Sequence, residues 1–513
     1  MARSLYLYTV EYHIATPSAC PEHFRVLLLS LLLTLLASIA ATVMVIRALA
    51  GRQSPVATFQ QVRERTPGEL IRYAEQRLEG HDRLQAVALP VLGLIQRQVE
   101  RPVPPGGLPT LVKGQQASVL WPVSYDRSGV PLPAQPLRQR WVPPVPALRI
   151  HTAAEFAVAM AAVLPGQTIE VAPGDYLVDQ ALQTGHAGTP QAPIVVRAAQ
   201  PGTVVLRVAT VQAFVVNQPY WVFENLTLRS VCTHDGDCEH AFHVVGRARA
   251  TVLRNNRVED FNAHIKFNGE DGHWPDDGLV QFNTLTDNRP RQTDHPVTPI
   301  DLVAASGWRV ADNLVSGFIK AGGDRVSYGL YMKGAGHGGR VERNLVVCTT
   351  RDISQAGVRV GMSFGGGGTV AESCRAARCA AEHIGGVMAN NVVAYCNDFG
   401  IDVFRSAGAI VAHNTLVNTA GIDVRRMPAS ATLIANVLDG RIRARDGGQV
   451  SLQSNLVTYL PAVMDAPDRL ALRWLSPPDQ VTVKPRVNED FCADRRGPMQ
   501  WPGAMGVRPV CSP

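Results

Sequence analysis

Tyr331 and Lys333 lie two residues apart in "GLYMK", where apolar and polar side chains alternate and a strand would turn both out on one face. A lysine with a depressed pKa can act as a base, and a phenol beside it can hold or pass a proton. Such chemistry needs partners, so the side chains stacked next to this pair decide its meaning. The stretch runs on into "VERNLVV", a strand-like run with an asparagine in its middle, where strands usually reject one. The pattern apolar-x-x-Asn recurs at Asn225, Asn256, Asn283, Asn313, Asn344, Asn391, Asn414, Asn436 and Asn455, led by apolar residues from Val222 to Leu452. The last four asparagines are 23, 22 and 19 residues apart, and the earlier gaps run from 27 to 47. A rung of about twenty residues with loop insertions marks an all-β solenoid, the right-handed parallel β-helix, whose coils stack strand on strand. The asparagines read as a structural ladder in which each bonds its neighbour in the next coil.

Registering the coils on the asparagines stacks their outward side chains about 4.8 Å apart. One column reads His243, Lys266, Asp301, Tyr331, Arg359, Asp402, Asp423, Arg443. The neighbouring column reads Val245, Asn268, Val303, Lys333, Gly361, Phe404, Arg425, Arg445. Insertions at 268 to 280, 286 to 297, 317 to 327 and 362 to 386 bracket these coils, as the walls of a binding groove would. His243, Lys266, Asp301, Asp402, Phe404, Asp423 and Arg425 are therefore candidate substrate-binding residues around Lys333 and Tyr331. The plain alternative is a solvated ladder in which Arg359, Asp402 and Arg425 pair for about zero to one kcal/mol each. That plain reading is preferred for Arg443 and Arg445. Asp402 and Asp423 on adjacent coils also make a candidate carboxylate pair for glycoside hydrolysis, with Arg425 as a simpler counterion. His295 in "TDHPVTP" is a loop histidine that could act as acid or base or merely be solvated. "MSFGGGGTV" lacks the Lys-Ser/Thr ending of a phosphate loop and reads as a flexible lid.

"LPGQTIEVAPGDY" followed by "GHAGTPQAPIVVRAAQPGTVVL" resembles the opening of the chondroitinase B and alginate lyase family of polysaccharide lyases, and the resemblance spans residues 150 to about 460. It implies a β-helix that cleaves acidic polysaccharide by β-elimination. Carried over by motif, it makes Lys333 the Brønsted base and Arg359, in "QAGVRVG", the acid or charge neutraliser. The family also implies calcium, held in part by glutamates five and seven residues before the lysine. Here those positions are Tyr328 and Val326, so Asp301 or Asp324 would have to substitute. A non-catalytic binder of envelope polysaccharide, or a glycosidase using the Asp402 and Asp423 pair, would use the same scaffold.

The rest of the chain bounds the setting. A net charge of +6 over 513 residues, without a basic run, gives no footprint for nucleic acid. After a tail over 1–25, residues 26–46 carry no charge and are long enough to span a bilayer. An uncleaved inner-membrane anchor, with the solenoid in the periplasm, is the first expectation; a cleaved signal with "ALA" at 48–50, and so a secreted protein, is the rival. Residues 53–100 read as an amphipathic helical segment, 101–148 as a linker with eleven prolines between 102 and 146, and 150–460 as the solenoid, opened by a capping helix with Thr152 as N-cap. Residues 461–513 read as a C-terminal tail. Eight of nine cysteines follow the apolar segment, an even, loop-located set that suits disulfides at 232–238, 374–379 and 492–511. Cys348 and Cys396 fall on consecutive coils. Zinc is the competing use, but neither tight pair has two-residue spacing.

Overall fold

In each coil, short runs of β-branched and apolar residues alternate with polar ones, and corners with left-handed backbone turn the chain from one run to the next. The computed structural model describes residues 147–199, 201–349, 357–376, 378–465, 472–484 and 487–506, with 74, 78, 82–99, 124–125 and 131–132. These coils build three parallel sheets of twelve, eleven and ten strands, consistent with the right-handed β-helix read from the repeat. One coil sends Leu279–Gln281 to the twelve-stranded sheet, Thr284–Thr286 to the eleven-stranded sheet and Ile300–Val303 to the ten-stranded sheet. The next coil does the same with Arg309–Ala311, Leu314–Ser316 and Val326–Lys333.

From Trp221 onward, the corner between the first two of these strands is two residues long. The first has positive φ, as at Phe282, Asp312 and Arg343, and the second is the ladder asparagine. Asn313 Nδ2 donates to Asn344 Oδ1 at 2.9 Å and to Val280 O at 2.9 Å, while the Asn313 backbone N–H donates to the same Asn344 oxygen at 3.0 Å. Such links run unbroken from Asn256 to Asn455. Each buried amide thus satisfies corner backbone groups that would otherwise lose water without replacement. Asn225 departs from the expected column. It occupies the left-handed position (φ 65°) and Leu226 takes the ladder place, donating its N–H to Asn256 Oδ1 at 3.1 Å. Phe223 rather than Val222 then faces the core. Asparagine tolerates left-handed backbone, so both corner positions accept it, as Asn255 and Asn256 show together.

Helix Ala153–Ala162 caps the first coil. Thr152 Oγ1 accepts the Glu155 N–H at 3.1 Å, and Phe156 and Met160 are buried against the opening of the solenoid. Of the segment read as amphipathic, Asp82–Val99 is a described helix. Of the linker, 124–125 and 131–132 are described as an antiparallel strand pair. The apolar run 26–46 lies outside the described residues; among these, no helix is long and apolar enough to cross a membrane.

The segment after 460 does not trail away. Leu472, Trp474, Phe491, Ala504 and Met505 pack on Leu345, Val392, Tyr395 and Val437, the outward side chains of the eleven-stranded sheet. Arg343 pairs with Glu489 at 2.7 Å, and the Ala504 N–H donates to Thr415 Oγ1 at 2.9 Å. Apolar residues spaced too irregularly for a repeat still cover an apolar face. Disulfides close 232–238, 348–396 and 374–379. Cys492 is disulfide-bonded too, and its expected partner Cys511 lies outside the described residues.

Candidate functional site

The ten-stranded sheet carries the charged columns on its outward face, while Phe242, Ile265, Ile300, Leu330, Met362 and Ile401 fill the interior. Register aligns His243, Lys266, Asp301 and Tyr331, and sets Val303 beside Lys333, as the asparagine frame anticipates.

The next coil breaks that frame. Arg359 pairs with Ser327, and Ser363 takes the place beside Tyr331. Arg359 is 1% exposed and its N–H donates to Asn397 Oδ1 at 2.8 Å. Val358 and Val360 join an apolar cluster with Phe399 and Tyr328, so alternation turns Arg359 the other way. The expected neighbourhood of Lys333 and Arg359 is therefore absent. The cause is a doubled pattern: "VRVGMSF" offers two apolar-x-apolar frames four residues apart, and the insertion before Asn391 removes the spacing that would choose between them. Gly361 sits in the middle because a Cβ there would meet Val393 Cγ1 at 2.5 Å, so it is no outward column member.

Around Lys333 the structure gathers a compact charged group. Lys266 Nζ lies 2.7 Å from Asp301 Oδ2, and Lys333 Nζ sits 4.4 Å from the centre of the Tyr331 ring while donating to Gly368 O at 3.2 Å. These side chains line a cavity of about 480 Å³ with Asn268 and Trp274 on one wall and Gly368, Thr369 and Cys374 on the other. Both walls belong to insertions anticipated as groove walls. The glycine run of 365–368 packs down on Tyr331, with a Gly366 Cβ position only 2.6 Å from the ring, so it forms part of the groove rather than a free lid.

Burial drives the Lys333 pKa down; Lys266 works the same way, and Asp301 and Glu382 oppose it. Burial works to raise Asp301, but Lys266 and Lys333 overcome it and hold the carboxyl below its ordinary value. Burial and then Asp301 push the Tyr331 phenol well above its ordinary value, so it stays protonated. Calcium does not fit this donor set. The buried carboxylate of Asp301 already serves one ammonium and faces a second, and Asp324 is tied to Lys320 at 2.8 Å.

The remaining expected residues lie elsewhere. His243 belongs to the same column but not to the cavity lining; its ring nitrogens are 2.9 Å from Gln212 Oε1 and 2.6 Å from Asn268 Oδ1. Asp402 and Asp423 are fully buried two and three coils past Tyr331. Arg425 grips both Asp402 oxygens at 2.9 and 3.0 Å, and Arg445 reaches Asp423 at 2.8 Å. Burial lifts Asp423 to about 6 against the opposing pull of Arg445 and Arg443. Phe404 is buried under Arg425 and Arg426. A glycosidase pair needs carboxylates that meet the sugar, and these do not. His295 pairs with Glu239 at 2.5 Å. Sequence reasoning missed Trp274 and Glu382. Trp274 is the one signal that was available, a lone large ring in a Gly- and Asp-rich insertion.

No family model and no curated protein matches the chain. Among solved structures it is similar to pectate lyase Pel9A, at 14% identity over 68% of this chain and 90% of that one, with a TM-score of 0.48. An alginate lyase from Paenibacillus sp. str. FPU-7 follows at 14% identity, covering 61% of this chain and 99% of that one, with a TM-score of 0.39. The catalytic unit of a thermostable alpha-1,3-glucanase from Streptomyces thermodiastaticus strain HF3-3 is similar at 12% identity over 59% and 65% of the two chains, with a TM-score of 0.38.

Proposed function

We propose that this chain binds an acidic polysaccharide in the groove of Lys266, Asp301, Tyr331 and Lys333 and cleaves it by β-elimination, outside the cytoplasm. The observation that carries the reading is Lys333 itself: a desolvated amine at the floor of a walled groove of about 480 Å³, set against a phenol. In its neutral form Lys333 Nζ takes the proton from the carbon next to the uronate carboxylate. The carbon–oxygen bond to the next sugar breaks as the new double bond forms, and the departing oxygen takes a proton from Tyr331 or water. Lys266 supplies the positive charge that stabilises the enolate-like intermediate, the part that Arg359 is too distant in register to play. The disulfides support an oxidising compartment.

A second reading, a polysaccharide binder without turnover, is favoured by the position of Arg359, which pairs with Ser327 rather than standing beside Lys333. Incubating the full-length protein with a panel of uronate polymers separates the two. Elimination leaves an unsaturated sugar with a new ultraviolet absorbance, whereas hydrolysis and binding do not. Binding without that product on any polymer of the panel would leave the binder reading in its place.

A further inference from the structure

The groove holds a second aromatic ring that the elimination leaves unused. Trp274 follows strand Ile265–Asn268, lines the cavity and packs on Val303, Ala304 and Tyr331. Gly269 makes the room, since a Cβ there would stand 2.6 Å from the indole Nε1. From the opposite wall, Arg375 lays its guanidinium on the indole, 4.7 Å from the ring centre. Arg375 is itself held fast. Its Nη1 and Nη2 reach the two Asp276 oxygens at 2.7 Å each, and Nη1 also donates to Ser306 Oγ at 3.0 Å and Ala304 O at 3.2 Å. Its backbone N–H donates to Gly334 O at 2.9 Å. A guanidinium so committed is not a receptor for a substrate carboxylate. It is a brace between two insertions from different coils. Cys374, its neighbour in sequence, lines the cavity and is tied to Cys379, so the brace sits in a short closed loop.

We propose that Trp274 is a stacking platform for a pyranose ring next to the unit gripped at Lys266 and Lys333, and that Arg375, presented by the disulfide-closed 374–379 loop, is the positioning residue that holds the indole in place. The inference rests on the groove reading above and adds a specificity element to it. The C–H face of a pyranose suits a flat apolar ring, and a large side chain with only two rotatable bonds, already clamped, loses little entropy when a sugar lands on it. The consequence is redox dependence: opening the 374–379 bridge slackens the loop that carries the brace.

The test uses the full-length protein and uronate oligosaccharides of defined length, with binding followed by calorimetry and turnover by separate KM and kcat. Trp274→Leu keeps apolar bulk but removes the ring, and is expected to weaken binding about tenfold. Trp274→Phe should recover part of the loss. Arg375→Gln, and the double change Cys374→Ser with Cys379→Ser, should weaken binding severalfold, with the effect falling on KM more than on kcat and the melting temperature little moved. Should Trp274→Leu fail to fold, Trp274→Phe and Arg375→Gln decide, and wild-type affinity in both overturns the platform. Unchanged affinity in a folded Trp274→Leu overturns it alone and leaves the role of Lys333 standing. Failure of the unaltered protein to bind any uronate oligosaccharide overturns the platform and the groove reading together.

Discussion

Two stretches of one column make an instructive pair. Lys266, Asp301 and Tyr331 lie on three successive coils, and Asp402, Asp423 and Arg443 on three later ones, in the same outward position of the same sheet. Both are rich in charge, and both are substantially buried. In the later stretch each carboxylate faces a guanidinium on the next coil, with Arg425 on Asp402 and Arg445 on Asp423, and the ladder closes on itself. In the earlier stretch two ammoniums share one carboxylate, and insertions rise on either side to leave a cavity. A stacked column of charges with one cation to spare is thus common to both; the walls and the cavity between them distinguish the one that can receive an anionic ligand.

The sharpest way to break this contrast is Lys333→Met. Removing the base should cut uronate elimination by about a hundred- to ten-thousandfold while the melting temperature holds, and retained turnover would remove Lys333 from the chemistry. Next in size is Arg425→Met, which leaves Asp402 buried without its bidentate partner. Denaturant melts should show a loss of about 3–5 kcal/mol, with turnover per folded molecule little changed; a loss of activity instead would move the site to the later stretch. Asn313→Leu and Asn344→Leu, on the spine behind the groove, should each cost about 1–3 kcal/mol through unsatisfied corner groups. The pH profile offers a finer test. Elimination should rise with pH through the lowered Lys333 pKa, because only the neutral amine accepts the proton. Asp301 favours the charged amine, so Asp301→Asn should move that rise to lower pH; a shift the other way would show that Asp301 does not act on Lys333. The smallest effect belongs to Arg443→Met, which shares Asp423 with Arg445 and should change stability by less than about 1 kcal/mol and turnover not at all.

Much of this was legible in the chain. A recurring apolar-x-x-Asn pattern reports a corner of constant length, so the solenoid, the inward column and the alignment of Lys266, Asp301 and Tyr331 followed directly. Legibility failed where spacing carried no information. At Asn225 two corner positions suit the same residue, and at Arg359 a long insertion and a doubled frame hid a four-residue shift. The packing of Leu472, Trp474, Phe491, Ala504 and Met505 was hidden for another reason: they cover a sheet through scattered apolar contacts rather than a period. The pairing of Asp402 with Arg425 was anticipated as the plain alternative, yet its depth of burial was not, since burial comes from neighbours far along the chain.

The two-residue corner, constant from Trp221 onward, has one more consequence. From Trp221 onward each coil passes from the twelve- to the eleven-stranded sheet through a left-handed residue and, from Asn256 onward, an asparagine, and the long insertions of these coils leave from the other corners. Change of length is thereby barred from one edge of the prism and free on the rest. A lineage, or an engineer, could trade the groove-side loops for others of different length and chemistry while the rack that holds them keeps its pitch.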